Sequence, residues 1–120
     1  MQATLKPDWT ELVNQDQLEE ICLCSESRPV VILKHSTRCS ISRFVLKDLV
    51  HSWSLPAAEV PFFYLDLLNY RPISDEIAHR FQVVHQSPQL IVIRDRRCVF
   101  SETHDSISAE QAEAFLKKGA

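Results

Sequence analysis

The 120-residue sequence predicts an α/β fold, a three-layer sandwich whose mixed central sheet is flanked by helices. Three features carry this prediction. Val30-Val31-Ile32-Leu33, the run from Phe62 to Leu67, and Leu90-Ile91-Val92-Ile93 are continuous apolar segments too short for buried helices, and they read as strands covered on both faces. Segments with apolar residues at helical spacing separate these runs. The last run is followed by a polar turn, Asp95-Arg96-Arg97, and a return strand, Cys98-Val99-Phe100, so the sheet gains an antiparallel hairpin after its parallel part. With 45% hydrophobic and 24% charged residues, the composition is that of one globular domain spanning residues 1–120.

The elements follow in order. Trp9 to Val13 is a short opening strand or a lead-in. Asp16-Gln17-Leu18-Glu19 has capping-box spacing, with Asp16 as N-cap, and opens a helix whose apolar face is Leu18, Ile21 and Cys22. Pro29 ends that segment, and the strand from Val30 to Leu33 follows. Ile41, Val45 and Leu49, with Phe44 beside them, mark a helix reaching about His51 or Trp53. Prolines at 56 and 61 punctuate the loop before the strand at Phe62. Ser74 reads as the N-cap of the next helix, with Asp75 and Glu76 in its first turn and Ile77, Ala78 and Phe81 on its apolar face. The turn at Asp95 lacks the glycine that tight hairpins favour, so a wider turn is expected there. Ser108 and Gln111 form a capping box for a last helix carrying Ala112, Phe115 and Leu116. The predicted order is (β)αβαβαββα.

The formal net charge is −3, and no basic tract or interleaved aromatic-basic pattern points to nucleic acid. The opening residues lack the apolar core of a signal peptide, and no apolar run is long enough to span a bilayer, so a cytoplasmic location without membrane partners is expected. Four cysteines, at 22, 24, 39 and 98, lack the paired spacing of a zinc site, and no metal is expected. In a reducing compartment they are expected to be free thiols.

Cys39 is the informative one. It falls where a buried strand hands over to a helix, so free N–H groups and the positive end of the helix dipole both favour a thiolate at that point. Taken alone it would more often be a small packing residue. Ser87-Pro88 supplies the second feature, because it immediately precedes the strand of the terminal hairpin. In thioredoxin-like proteins a proline at this location is cis and packs against the reactive sulfur. Without Cys39, a trans proline starting a strand would be the better reading.

Lys34 to Ser42 reads KHSTRCSIS, and in this stretch the chain resembles the bacillithiol-system YtxJ-type thioredoxin-like family, the monothiol bacilliredoxins, whose signature is close to Lys-His-Ser-Thr-x-Cys-Pro-Ile-Ser. Further blocks match at Tyr64-Leu65-Asp66-Leu67 with Tyr70-Arg71, and at His85-Gln86-Ser87-Pro88-Gln89 with Ile93-Arg94-Asp95 and His104. The resemblance implies a thioredoxin-like three-layer sandwich and a monothiol thiol-disulfide oxidoreductase. Its substrates would be S-thiolated client proteins, and its low-molecular-weight thiol would be bacillithiol. Ser40 departs from the family proline. Ser42 occupies the place of a dithiol enzyme's resolving cysteine and cannot form a disulfide.

The expected site is Cys39 as the transferring thiol. Arg38 and Lys34 would contribute nearby positive charge, Thr37 and Ser42 hydrogen bonds to the sulfur, and Ser87 and Pro88 the binding edge for the incoming disulfide. His35 is balanced between activating Cys39 and satisfying loop backbone. His85, His104 and Asp66 are expected to be structural, and Cys22 and Cys98 to be packing residues. The alternative function is a redox-inactive thioredoxin-like module that binds extended peptides along the proline-flanked groove.

Overall fold

In the computed structural model, which describes residues 5–119, the three apolar runs become the inner strands of a five-stranded sheet. Met1 to Thr4, part of the opening segment read for a signal peptide, lie outside the described residues. In chain order the elements are β1 (Thr10–Glu11), α1 (Asp16–Cys24), β2 (Val30–His35), α2 (Ser40–Ser52), β3 (Phe62–Asp66), α3 (Arg71–Arg80), β4 (Gln89–Arg94), β5 (Arg97–Thr103), a 3-10 turn (His104–Ser106) and α4 (Ala109–Lys117). The strands lie in the order β1-β3-β2-β4-β5. β1 and β2 run parallel to β3, whereas β4 is antiparallel to β2 and β5 to β4. None of these helices is long and apolar enough to cross a membrane.

Strand alternation sorts the core into two clusters, one on each face of the sheet. Val31 and Leu33 of β2 pack with Val45, Leu46 and Leu49 of α2 and with Ala112 and Leu116 of α4. Val30 and Ile32 pack with Leu18 and Ile21 of α1 and with Ile73 and Ile77 of α3. Helices α2 and α4 therefore cover one face, and α1 and α3 the other, which gives the three layers. Burying each of these valine, leucine and isoleucine side chains is worth about 1.5–3 kcal/mol. β2 runs through the densest part of the packing, and its last two residues, Lys34 and His35, are as buried as its apolar ones.

Four local expectations are corrected. Helix α2 buries Ser42, Val45, Leu46 and Leu49, while Ile41 and Phe44 face solvent, because the i, i+3, i+4, i+7 stripe starts from a serine rather than from Ile41. The box at the start of α1 lies two residues earlier than predicted: Asn14 Oδ1 accepts the Gln17 N–H, and Gln17 Oε1 accepts the Asn14 N–H. Helix α3 starts at Arg71 with Pro72 in its first turn, where a missing N–H costs nothing, and Ser74 is an interior, buried position. The predicted cap at Ser108 forms, its side chain accepting from the Gln111 N–H.

The fourth correction is the β4–β5 turn. It is a tight two-residue connection, with Asp95 and Arg96 at φ 54° and 65°, despite having no glycine. Ser25, fully buried at the end of α1, compensates for that strained backbone. Its carbonyl accepts the Asp95 N–H at 2.8 Å, and its Oγ accepts the Arg96 N–H at 2.9 Å while donating to the Cys22 carbonyl at 2.7 Å. Arg96 adds ion pairs to Glu19 and Glu26. Ser25→Ala leaves the Arg96 N–H without this partner and is expected to lower stability by about 1–3 kcal/mol in chemical denaturation. An unchanged midpoint would show that the turn holds itself.

Candidate functional site

The site grows from the end of β2. After His35 the chain makes a short loop, Ser36-Thr37-Arg38, and Cys39 then caps α2 in extended conformation at φ −99° and ψ 124°. The loop is closed from within. The Cys39 N–H donates to the Ser36 carbonyl at 3.2 Å, and the Ser36 N–H donates to Ser42 Oγ at 3.0 Å. Arg43 lies across the outside, its guanidinium donating to the Thr37 carbonyl at 3.0 Å. The Cys39 thiol is free and half-buried, and Thr37, Arg38 and Ser40 are exposed. Helix α2 begins at Ser40 without a proline in its first turn.

Beneath this loop lies a buried polar web. His35 Nδ1 lies 2.7 Å from Ser42 Oγ, and its ring is tilted against Tyr64 at 5.5 Å between centroids. Burial pushes the His35 pKa down, only partly opposed by the negative charge of Asp66 and by the bond to Ser42, so the ring is neutral at physiological pH. Asp66 ends β3 paired with His35 in the sheet, and its Oδ2 accepts from the Asn69 side chain at 2.8 Å. The expected hydrogen bonds to the sulfur are not made: among the described residues none joins Thr37 or Ser42 to Sγ of Cys39. Ser42 serves the loop backbone and His35 instead, and His35 meets the α2 terminus through its contact with Ser42 and the nearby charge of Arg43.

Lys34 also departs from expectation. Strand alternation turns it to the face opposite α2, so its charge does not sit beside Cys39. Its Nζ donates to the Ser74 carbonyl and to His85 Nδ1, both at 3.1 Å. Burial lowers its pKa to about 8, with Asp75 pulling the other way. His85 is thereby tied to the segment before β4. That segment contains the Ser87-Pro88 peptide, which is cis. It is braced further by the Pro88 carbonyl accepting the His104 N–H at 3.0 Å, and by the buried Gln89 side chain, which donates to the Val84 carbonyl at 3.0 Å. Sequence reasoning assigned no role to Gln89 or Arg43. Gln89 stood in the matched block at 85–89, and its partnership with the loop was not visible there.

The sheet register brings the two halves together. Lys34 pairs with Gln89 across antiparallel β2 and β4, so the loop leading to Cys39 and the Ser87-Pro88 peptide leave the sheet at the same edge. The other three cysteines lie elsewhere. Cys22 belongs to the core cluster on the α1–α3 face, and Cys24 and Cys98 pack against that same cluster. Burial raises the Cys98 pKa, and its thiol donates to the Phe100 carbonyl.

Comparison with known proteins agrees with this architecture. A solved structure described as a candidate oxidoreductase with a thioredoxin fold is 27% identical, covers 89% of this chain and 92% of its own, and superposes with a TM-score of 0.71. The thioredoxin of Malassezia sympodialis is 13% identical over 98% of this chain and 96% of its own, at a TM-score of 0.72. Fasciola hepatica thioredoxin is 16% identical over 92% and 99%, at 0.66. The fold is thioredoxin-like. Residues 10–112 match the family described as Monothiol bacilliredoxin BrxC, and the chain belongs to that family.

Proposed function

We propose that the protein is a monothiol thiol-disulfide oxidoreductase that removes a low-molecular-weight thiol, bacillithiol, from S-thiolated client proteins through Cys39. Family membership and the thioredoxin-like fold support a thiol redox role. The observation that carries the finer reading is the placement of one thiol. Cys39 caps α2 at the sheet edge it shares with cis Ser87-Pro88, Ser42 occupies the resolving position, and the remaining cysteines pack on the opposite face.

In the first step the Cys39 thiolate attacks the small-thiol sulfur of the client's mixed disulfide. The Cys39–S–S–thiol bond forms as the client–S–S–thiol bond breaks, and the client leaves as thiolate. In the second step a free molecule of the same thiol attacks that adduct, releases Cys39 and leaves as the symmetric disulfide. The client sulfur gains one electron and the sulfur of the free thiol loses one, while the transferred sulfur stays at the disulfide level throughout, so the electrons balance. Cys39 stands at the N-terminus of α2, where the helix dipole presents partial positive charge, and Arg38 precedes it in the chain while the Arg43 guanidinium lies on the Thr37 carbonyl of the same loop. Ser87 and Pro88 would form the edge against which the incoming disulfide lies.

Reduced protein mixed separately with oxidised bacillithiol and oxidised glutathione tests the choice of thiol. A single adduct is expected, mapped to Cys39 and formed at least several-fold faster with bacillithiol. Faster addition of glutathione would reassign the thiol. No adduct at Cys39 with either would favour the peptide-binding module.

A further inference from the structure

The mechanism above makes no use of the most deeply buried charge at this edge of the sheet. Lys34 has no exposed surface, and an apolar side chain of similar volume would fill its place without desolvating an ammonium. Its contacts show what it holds. An ammonium has only donors, so where Lys34 Nζ meets His85 Nδ1 at 3.1 Å the ring nitrogen accepts, and His85 is neutral with its proton on Nε2. Ser74 Oγ lies 3.3 Å from the same nitrogen, and the Ser74 carbonyl takes a second ammonium proton. His85 is exposed on the loop and stands two residues before Ser87. The other braces on this loop come from Ser74 of α3, Gln89 and His104, whereas this one comes from β2, the strand that delivers Cys39.

We propose that Lys34 is a positioning residue for the substrate-side loop: through His85 Nδ1 it fixes residues 85–88 relative to the end of β2, so that an incoming mixed disulfide meets a preformed edge. This proposal rests on the thiol-transfer reading. A preset loop removes ordering cost from binding, so its loss falls on KM more than on kcat. The arrangement is also pH-sensitive. Burial and the Lys34 charge lower the His85 pKa, Arg71 of α3 adds to that, and Asp75 of α3 opposes it. The bond therefore holds above the His85 titration. It is lost as pH falls through it, when two cations would face each other.

Lys34→Met is expected to raise KM for a bacillithiolated client about tenfold, with kcat within twofold, and to speed hydrogen exchange at the Gln86 and Ser87 amides by a similar factor. His85→Phe, a change on an exposed loop residue, should reproduce both effects while Lys34 keeps its bond to the Ser74 carbonyl. His85→Asn offers Oδ1 in place of Nδ1 but does not titrate. It should keep KM near the wild-type value and abolish the rise in KM that wild type shows as pH falls through the His85 titration, which burial and the Lys34 charge hold below the ordinary histidine range. Unchanged KM and unchanged exchange in Lys34→Met and His85→Phe would overturn the proposal while leaving thiol transfer intact. Absence of transfer by the wild-type protein would instead overturn the functional reading, and the exchange measurement would then decide the loop brace by itself.

Discussion

Replacing Cys39 by serine is expected to lower kcat/KM for de-thiolation by at least about a thousandfold. A serine hydroxyl is not ionised near neutral pH and cannot form the mixed disulfide that the first step requires. The variant should nonetheless fold, because serine is a favoured N-cap and position 39 caps α2. Its denaturation midpoint should match or slightly exceed that of the wild type, which separates loss of chemistry from loss of structure. The other thiols remain in this variant. Residual transfer near the wild-type rate would mean that Cys24 or Cys98, half-buried against the opposite core cluster, carries the reaction.

Lys34→Met is expected to raise stability at pH 7 by about 2 kcal/mol, from a lowered pKa worth about 1.4 kcal/mol per unit and discounted for relaxation of the buried site. The folded-state pKa of Lys34 is about 8, against an ordinary 10.5. Between those values the unfolded chain binds more protons than the folded one, so wild-type stability should rise with pH across that window. Below pH 8 the cost of the buried ammonium is fully present. The variant should lack the rise that Lys34 gives the wild type from pH 8 to 10.5, and denaturant titrations of both proteins across that range provide the check, Cys98 contributing equally to each. A variant less stable than the wild type at pH 7 would show that the bonds to Ser74 and His85 outweigh the desolvation. A protein that keeps a destabilising charge beside the loop of its candidate site fits the trade of stability for function seen in many enzymes.

The layer order was legible because its signals are strong and local. Buried strands announce themselves as runs such as Val30 to Leu33, and Ser108 with Gln111 marks a helix start by spacing alone. The errors have a common cause: the sequence does not display tertiary partners. Nothing adjacent to Asp95-Arg96 reveals that Ser25, seventy residues earlier, holds both of its strained amides. Serine at 42 looks polar and is buried, since its hydroxyl closes a loop and meets His35, so the stripe of α2 shifted away from Phe44. The cap of α1 was misplaced because Asp16 with Glu19 and Asn14 with Gln17 have the same spacing, and only backbone geometry decides between them.

The site was legible to a different degree. Cys39 at a helix terminus and Ser87-Pro88 before the hairpin follow from position along the chain, and the structure places both at one sheet edge. Which way the flanking side chains turn does not follow from position. Lys34 and His35 are neighbours on β2, yet alternation sends one toward α3 and the other beneath α2. A motif read as a single cluster of helpers around the sulfur is therefore two networks on opposite faces. One supports the loop that carries Cys39, and the other supports the loop that carries Pro88.

The central claim is that one thiol takes up the small molecule and has no partner within the chain. Its direct test is an acid-quenched intact mass after reduced protein meets one equivalent of a bacillithiolated client, with no free thiol present. The expected product is the chain plus one bacillithiol, mapped to Cys39, with the client released as thiol. A chain lighter by two hydrogens would reveal an internal disulfide, and a persistent covalent complex with the client would reveal attack on the wrong sulfur; either result would contradict the account.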